Sequence, residues 1–373
     1  MANVLSIVTY KILPPKLGGQ KGIALFNEYF SKEETLFCFT IKENNPTLAP
    51  YKVFNLLENS SLRYINIFNF RLLKKIITQN NISHILIEHP YYGWMALLLK
   101  RFCNVKVIAH SHNIESERFK TLGKWWWKIL WHYEKWVHQN ADFTFCITQK
   151  DRNFFYGQYK IPFEKSTVIT YGISWNSAPS TTEKNEAKLN LLKRYSLSDE
   201  VHLFLFNGTL NYLPNLVAVK NIVEKINPLF IKKEIPYKII ICGKGLPEEM
   251  NELKNFSGEN IIYAGFVEDI TEYFKGVDVF INPVTDGGGI KTKLVEALGY
   301  NSTAVSTFNG AIGVEVNICN GKLLLSENTD WQGFADNMQK AIKINQSVSP
   351  EFFNHFYWQN IAAKAGNALS LLK

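Results

Sequence analysis

The chain lacks an apolar run that could cross a bilayer; none reaches the ~18 residues such a span needs. Cysteine is scarce, with five in 373 residues. Cys38, Cys103, Cys146, Cys242 and Cys319 are odd in number and scattered, which suits reduced core thiols better than a disulfide framework or a zinc site. No P-loop is present, and no G-x-G-x-x-G follows the first apolar run, so neither phosphate-binding fingerprint applies. There is no Asp-x-Asp pair, so a carboxylate-chelated divalent metal is not indicated and no metal site is expected. No nucleic-acid-binding motif is visible. The opening residues, MANVLSIVTYKILPPK, show no basic n-region or cleavage signature, so no signal peptide is expected and the protein reads as cytoplasmic.

What is present is a globular composition: 46% hydrophobic, 20% charged and 14% aromatic. A chain of 373 residues is too long for one ordinary core, so two domains are expected. The charge is uneven. Residues 1–180 carry 22 Lys and Arg against 12 Asp and Glu, while residues 181–373 carry 19 against 21. A basic first half suggests an anionic surface or substrate, and a membrane face fits better than nucleic acid.

Apolar runs of strand length alternate with helical patterns. NVLSIVTY, ETLFCFT, SHILIE, VKVIAH, DFTFCIT and STVITY read as strands. KGIALFNEYF, FRLLKKIITQ and GWMALLLKRF read as the helices between them. Near-continuous apolar strands separated by helices indicate a parallel sheet covered on both faces. The polar stretch SWNSAPSTTEKNEAKLN reads as a linker. The alternation then restarts with strands VHLFLFNG, KIIICG, NIIYAG, VDVFINP and STAVST. NLVAVKNIVEKI, PEEMNELKNF, ITEYFKG, IKTKLVEALG and WQGFADNMQKAIKI read as helices. Two doubly wound halves place a cleft between them, with ligands beyond the carboxyl ends of the strands.

The segment NPVTDGGGIKTKLVEALG sits at such an end. Gly287, Gly288 and Gly289 cost conformational entropy, so either a bare turn or a close approach to a ligand is needed there. A glycine loop opening a helix offers free N–H groups to an anion. The first βα loop, PPKLGGQKG, supplies Gly18 and Gly19.

FNGTLNYLPNLVAV, IIICGKG, IIYAGFVEDITEYFKGVDVFINPV and GGGIKTKLVEALG, in this order, resemble the C-terminal half of the family-four retaining glycosyltransferases of the GT-B fold. VIAHSHNIESERF resembles the loop after a central strand in their N-terminal half. The resemblance implies an α/β, GT-B chain with two Rossmann-like domains facing a cleft. Residues 1–175 would bind acceptor, 176–355 would bind a nucleoside-diphosphate sugar, and 356–373 would form a helix packing back on the first domain.

The resemblance also implies site residues. Glu296 matches the glutamate on the donor ribose, and Lys291 and Lys293 match basic positions near the diphosphate. Gly208, Thr209 and Gly243 lie where the family approaches the phosphates. Phe266 and Val267 fall in the segment flanking the nucleobase. Gly287, Gly288, Gly289 and Ile290 bring backbone amides to the donor. Many members carry a second glutamate where this chain has Gly288, and Asp286 nearby is a candidate substitute. His112 matches the histidine facing the donor sugar, with His110 the weaker candidate. Asn113 and Glu115 would cap the next helix, and both are candidates for the acceptor side. The expected activity is a metal-independent, retaining hexosyl transfer to a glycan or lipid-linked acceptor in surface polysaccharide synthesis, with no cofactor besides the donor. The alternatives are a GT-B nucleotide-sugar epimerase and a non-catalytic sugar- or membrane-binding module.

The stretch GKWWWKILWHYEKWVH stands apart. At helical spacing Trp125, Trp126, Ile129, Leu130, Tyr133, Trp136 and Val137 share one arc, expected to pack on the first domain. Trp127 and Trp131 flank Lys124, Lys128 and Lys135. Tryptophan beside lysine suits a headgroup interface, so peripheral contact with an anionic inner membrane face is expected there; the alternative is that both indoles are core against a neighbouring helix.

Overall fold

The computed structural model describes residues 1–16 and 18–372. The chain forms two compact units. One comprises Met1–Ser174, Gly288–Ile290 and Phe356–Lys373, and the other Trp175–Gly287 and Lys291–His355.

The first unit is built on seven parallel strands: β1 (Asn3–Val8), β2 (Thr35–Ile41), β3 (Lys52–Leu57), β4 (His84–Glu88), β5 (Lys106–Ser111), β6 (Phe143–Cys146) and β7 (Ser166–Val168). Their order is β3-β2-β1-β4-β5-β6-β7. The central strands are buried on both faces. Leu5, Ile7, Phe39, Ile85, Ile87 and Val107 share one core with Leu73, Met95 and Leu99 from the covering helices. β3 does not appear in the sequence pattern, because it is an edge strand whose residues are mostly half-exposed. The helix Trp358–Ser370 belongs to this unit. Its Trp358 packs on Phe26 and Tyr171, and Gln359 donates to Glu33 of the same unit.

The second unit has six parallel strands: β8 (His202–Asn207), β9 (Tyr237–Cys242), β10 (Ile261–Gly265), β11 (Val279–Asn282), β12 (Thr303–Thr307) and β13 (Leu323–Ser326). Their order is β10-β9-β8-β11-β12-β13. Phe204, Phe206, Ile239, Ile241, Val279 and Ile281 form its core with Val219, Ile222 and Phe230.

Three expectations need correction. The expected linker holds a helix, Thr181–Arg194, opened by a capping box in which Ser180 and Glu183 satisfy each other's backbone N–H groups. PEEMNELKNF is not an α-helix. Its Met250, Leu253 and Phe256 recur every three residues, the period of a 3₁₀ turn, and Asn251, Glu252 and Leu253 have positive φ. The tryptophan-rich helix, Trp127–Asn140, buries Leu130, Glu134, Val137 and His138. Trp125 is 82%, Ile129 64% and Trp136 43% exposed, while Leu130 and Val137 are buried and Trp126 and Tyr133 half-buried, so only part of the expected arc packs. Trp131 is instead half-buried against Cys146, Phe155 and Tyr159.

Candidate active site

In the first unit the chemistry gathers where β4 and β5 end. Glu88 pairs in register with His110 on the neighbouring strand. His112, one residue past the end of β5, comes to the same carboxylate. His112 Nε2 lies 2.5 Å from Glu88 Oε2, and His110 Nδ1 lies 3.0 Å from that oxygen. The latter approach lacks hydrogen-bonding direction, and both His110 nitrogens and Glu88 Oε1 are buried without a partner. The two imidazoles stack with centroids 4.1 Å apart. Burial pushes Glu88 up, but the imidazoles of His110 and His112 outweigh it and hold the carboxyl well below its usual range. Burial and His110 push His112 down to about 4, so at neutral pH it is an uncharged ring against a carboxylate.

A second network adjoins the first. His89 has φ 69° and ψ 159°, a backbone that costs free energy outside glycine. Its ring is tied at both nitrogens, to Tyr10 Oη at 3.0 Å and to Glu115 Oε1 at 3.0 Å. Tyr91 and Arg118 donate to Glu115 Oε2. Glu115 is thus fully buried with both oxygens engaged, and its place is in holding His89 and Tyr91 rather than at an acceptor surface. Nor do Asn113 and Glu115 cap the helix Glu115–Thr121. Glu134 does so, accepting from the backbone N–H of Glu115 at 2.8 Å and of Ser116 at 3.0 Å. Asn113 is half-exposed, and its carbonyl accepts from Ser111 Oγ. Gly18 and Gly19 open the helix Gly18–Phe30; a Cβ at Gly19 would meet nothing within 4 Å.

In the second unit the strand ends form a close-packed backbone floor. A Cβ on Gly243, at φ 153°, would fall 1.9 Å from the carbonyl oxygen of Gly208. No other residue fits there, which fixes the turns after β8 and β9. Gly208 N–H donates to Cys242, and Asn215 Nδ2 donates to the Thr209 carbonyl at 3.0 Å. After β10, Phe266 is exposed and Val267 half-buried.

The glycine loop after β11 turns at Gly287 and Gly289, with φ 92° and 67°. Gly288 is exposed, Gly289 buried and Ile290 half-buried. Asp286 is exposed, and its carboxylate accepts from the Gly287 N–H at 2.6 Å. Lys291 Nζ donates to the Gly287 carbonyl at 2.7 Å. The helix Thr292–Gly299 follows, anchored by Leu294, Val295, Ala297 and Leu298. Lys293 and Glu296, three apart, share its half-buried flank. Lys293 Nζ donates to the Asn207 carbonyl at 3.0 Å and to Asn215 Oδ1 at 3.1 Å, and sits 4.0 Å from the Phe206 ring centroid. No carboxylate pairs with it among the described residues. Burial, then repulsion from Lys291, drives its pKa far below the usual lysine value.

Sequence reasoning missed Glu88, His89 and Asn215. Glu88 closes the strand read as SHILIE, and its position marks a strand end without naming its partner. Glu88, His110 and His112 form the one metal-capable group among the described residues, their ligand atoms within 4.8 Å of one another. Metal–ligand bonds of about 2.0–2.2 Å hold neighbouring donors about 3 Å apart, so Glu88 and His112, 2.5 Å apart, would have to separate to take an ion.

Two family models match the chain. Glycosyl transferases group 1 covers residues 201–343, and Glycosyltransferase Family 4 covers residues 35–175. The O-antigen biosynthesis glycosyltransferase WbnH of Escherichia coli is 24% identical over 336 residues, 88% of this chain and 87% of its own length. A glycosyltransferase from Rickettsia africae has a TM-score of 0.74 at 14% identity, covering 100% of this chain and 99% of that one. Anabaena Alr3699/HepE, solved with UDP, has a TM-score of 0.70 at 14% identity, covering 100% of both chains.

Proposed function

The chain belongs to the group 1, family-four glycosyltransferases of the GT-B fold, related to O-antigen glycosyltransferases, and we propose that it moves a hexose from a nucleoside-diphosphate sugar to a lipid-linked glycan with retention at the anomeric carbon. The observation carrying this reading is Lys293. Its half-buried amine has no carboxylate partner among the described residues and stands beside a glycine loop at the first turn of a helix, an arrangement that suits an anion. The diphosphate supplies it, and Glu296 takes the ribose hydroxyls. HepE was solved with UDP, which makes uridine the first base to test.

The bond between the anomeric carbon and the phosphate oxygen breaks as the bond to the acceptor oxygen forms. The acceptor proton passes to an oxygen of the departing diphosphate. Charge grows on that leaving group, and Lys293, Lys291 and the loop amides stabilise it. Turnover then needs no metal. His112, uncharged at neutral pH, hydrogen-bonds the donor sugar.

The acceptor reading draws on WbnH, named for O-antigen biosynthesis, and on the outer face of the tryptophan-rich segment. No described helix is long and apolar enough to cross a membrane. Leu122, Trp125, Ile129 and Trp136 are exposed beside Lys124 and Lys128. That composition suits the headgroup region of an anionic membrane and would hold the enzyme peripherally at the inner face, where lipid-linked acceptors lie.

The test is incubation with a panel of nucleoside-diphosphate hexoses, with and without membranes carrying lipid-linked glycans. A sugar–acceptor product supports transfer. An isomerised donor without acceptor would instead make the protein an epimerase, and binding without turnover a non-catalytic module.

A further inference from the structure

We infer that Glu88 is a positioning residue that locks His112 in one tautomer, with the proton on Nε2, so that His112 meets its ligand through Nδ1. The inference rests on the proposed contact between His112 and the donor sugar.

His112 Nε2 and Glu88 Oε2 lie 2.5 Å apart, the separation of a strong charge-assisted hydrogen bond. A carboxylate only accepts, so the ring must donate from Nε2. The lone pair then belongs to Nδ1, which has no protein partner among the described residues, on a side chain 14% exposed. His110 reinforces the orientation. It is fully buried on β5, stacks on His112 and approaches the same Glu88 oxygen.

Stability gives little reason for this arrangement. Glu88 is buried on a central strand, no lysine or arginine pairs with it among the described residues, and Oε1 has no partner. An apolar residue would serve the core at least as well. What the carboxylate adds is direction: one tautomer, one ring orientation and a negative charge behind the imidazole. Such a ring accepts a hydrogen bond from a sugar hydroxyl at Nδ1. It also carries partial negative character toward an anomeric centre that becomes positive as its bond to phosphate breaks.

The test combines a spectrum with a mutant cycle on the full chain. In protein labelled with ¹⁵N-histidine, the His112 signals are those lost in His112→Ala. The inference expects a protonated Nε2 and an unprotonated Nδ1 at pH 7.5, with the single tautomer lost in Glu88→Gln. An Nδ1-protonated His112 in the wild type overturns it, whether or not any variant folds. In kinetics, Glu88→Gln should lower kcat about 10- to 100-fold with donor KM within about twofold. The double variant should be no slower than His112→Ala alone, because Glu88 acts through His112. Wild-type kcat in Glu88→Gln beside a crippled His112→Ala removes Glu88 from the mechanism. Full activity in His112→Ala would instead defeat the reading that His112 meets the donor, and the tautomer would still be decided by the spectrum.

Discussion

The Lys293 amine donates to the backbone carbonyl of Asn207 at 3.0 Å, so a group that is charged in water meets a neutral dipole here. Burial, then repulsion from Lys291, depresses its pKa, and no carboxylate among the described residues offsets them. In the unfolded chain the same lysine holds its proton to a higher pH, so burying it charged opposes folding below the depressed pKa. That penalty is full below the depressed pKa and fades as pH rises from there to the unfolded-state value. A bound diphosphate reverses the shift and favours the proton. Nucleoside diphosphate affinity should therefore fall as pH rises between the depressed pKa of the free protein and the higher one of the complex, by at most about tenfold per unit, with proton uptake on binding. Calorimetry in buffers of different ionisation enthalpy reads both. A flat profile with no proton uptake would place Lys293 away from the phosphates.

Glu296 shares the half-buried flank of its helix with Lys293. Glu296→Ala leaves ribose hydroxyls unpaired and should cost about 1.5–3 kcal/mol, roughly 10- to 150-fold in kcat/KM. Unchanged kinetics in a folded variant would remove it from the donor site.

Glu88, His110 and His112 could attract a metal ion, so chelation is an informative control. Transfer driven by Lys293 and loop amides should keep its full rate in excess EDTA. A rate abolished by EDTA and restored by Mn²⁺, Mg²⁺ or Zn²⁺ would contradict the metal-free reading.

The exposed face of the tryptophan-rich segment gives a surface test. Replacing Trp125, Ile129 and Trp136 by Ser should abolish salt-sensitive binding to anionic vesicles, while Tm changes by only a few degrees because these side chains are already in water. Trp127→Ala should matter less, since that half-buried ring lies 4.9 Å below Lys120 Nζ. Equal recovery of the wild type with and without vesicles at low salt would mark the patch as ordinary surface.

The two sheets were legible because their central strands are almost wholly apolar, as in ILI of β4 and FLF of β8. β3 hid because an edge strand carries half-exposed residues, and the helix Thr181–Arg194 hid because it is mostly polar and announced only by its Ser180–Glu183 box. The tryptophan-rich helix misled for a different reason. Its buried stripe holds Leu130 and Val137 but also Glu134 and His138, polar groups kept inside by a helix N-terminus and by Thr144, so counting apolar residues drew the packed arc too far toward Trp125, Ile129 and Trp136. Glycines and lysines after strands could be read in the second unit. Glu88 could not, because its pairing with His112 depends on strand register, which sequence alone does not fix.

Lys293 is proposed to hold the diphosphate of a nucleotide sugar. Titration calorimetry of uridine, guanosine, adenosine and thymidine diphosphates into the full chain tests it directly, with Lys293→Met as the control. One nucleotide should bind with one-to-one stoichiometry, and the variant should weaken it about tenfold or more, as expected for loss of a charge-assisted contact. Wild-type affinity in a folded Lys293→Met protein, or no binding by any of the four nucleotides, would contradict the account.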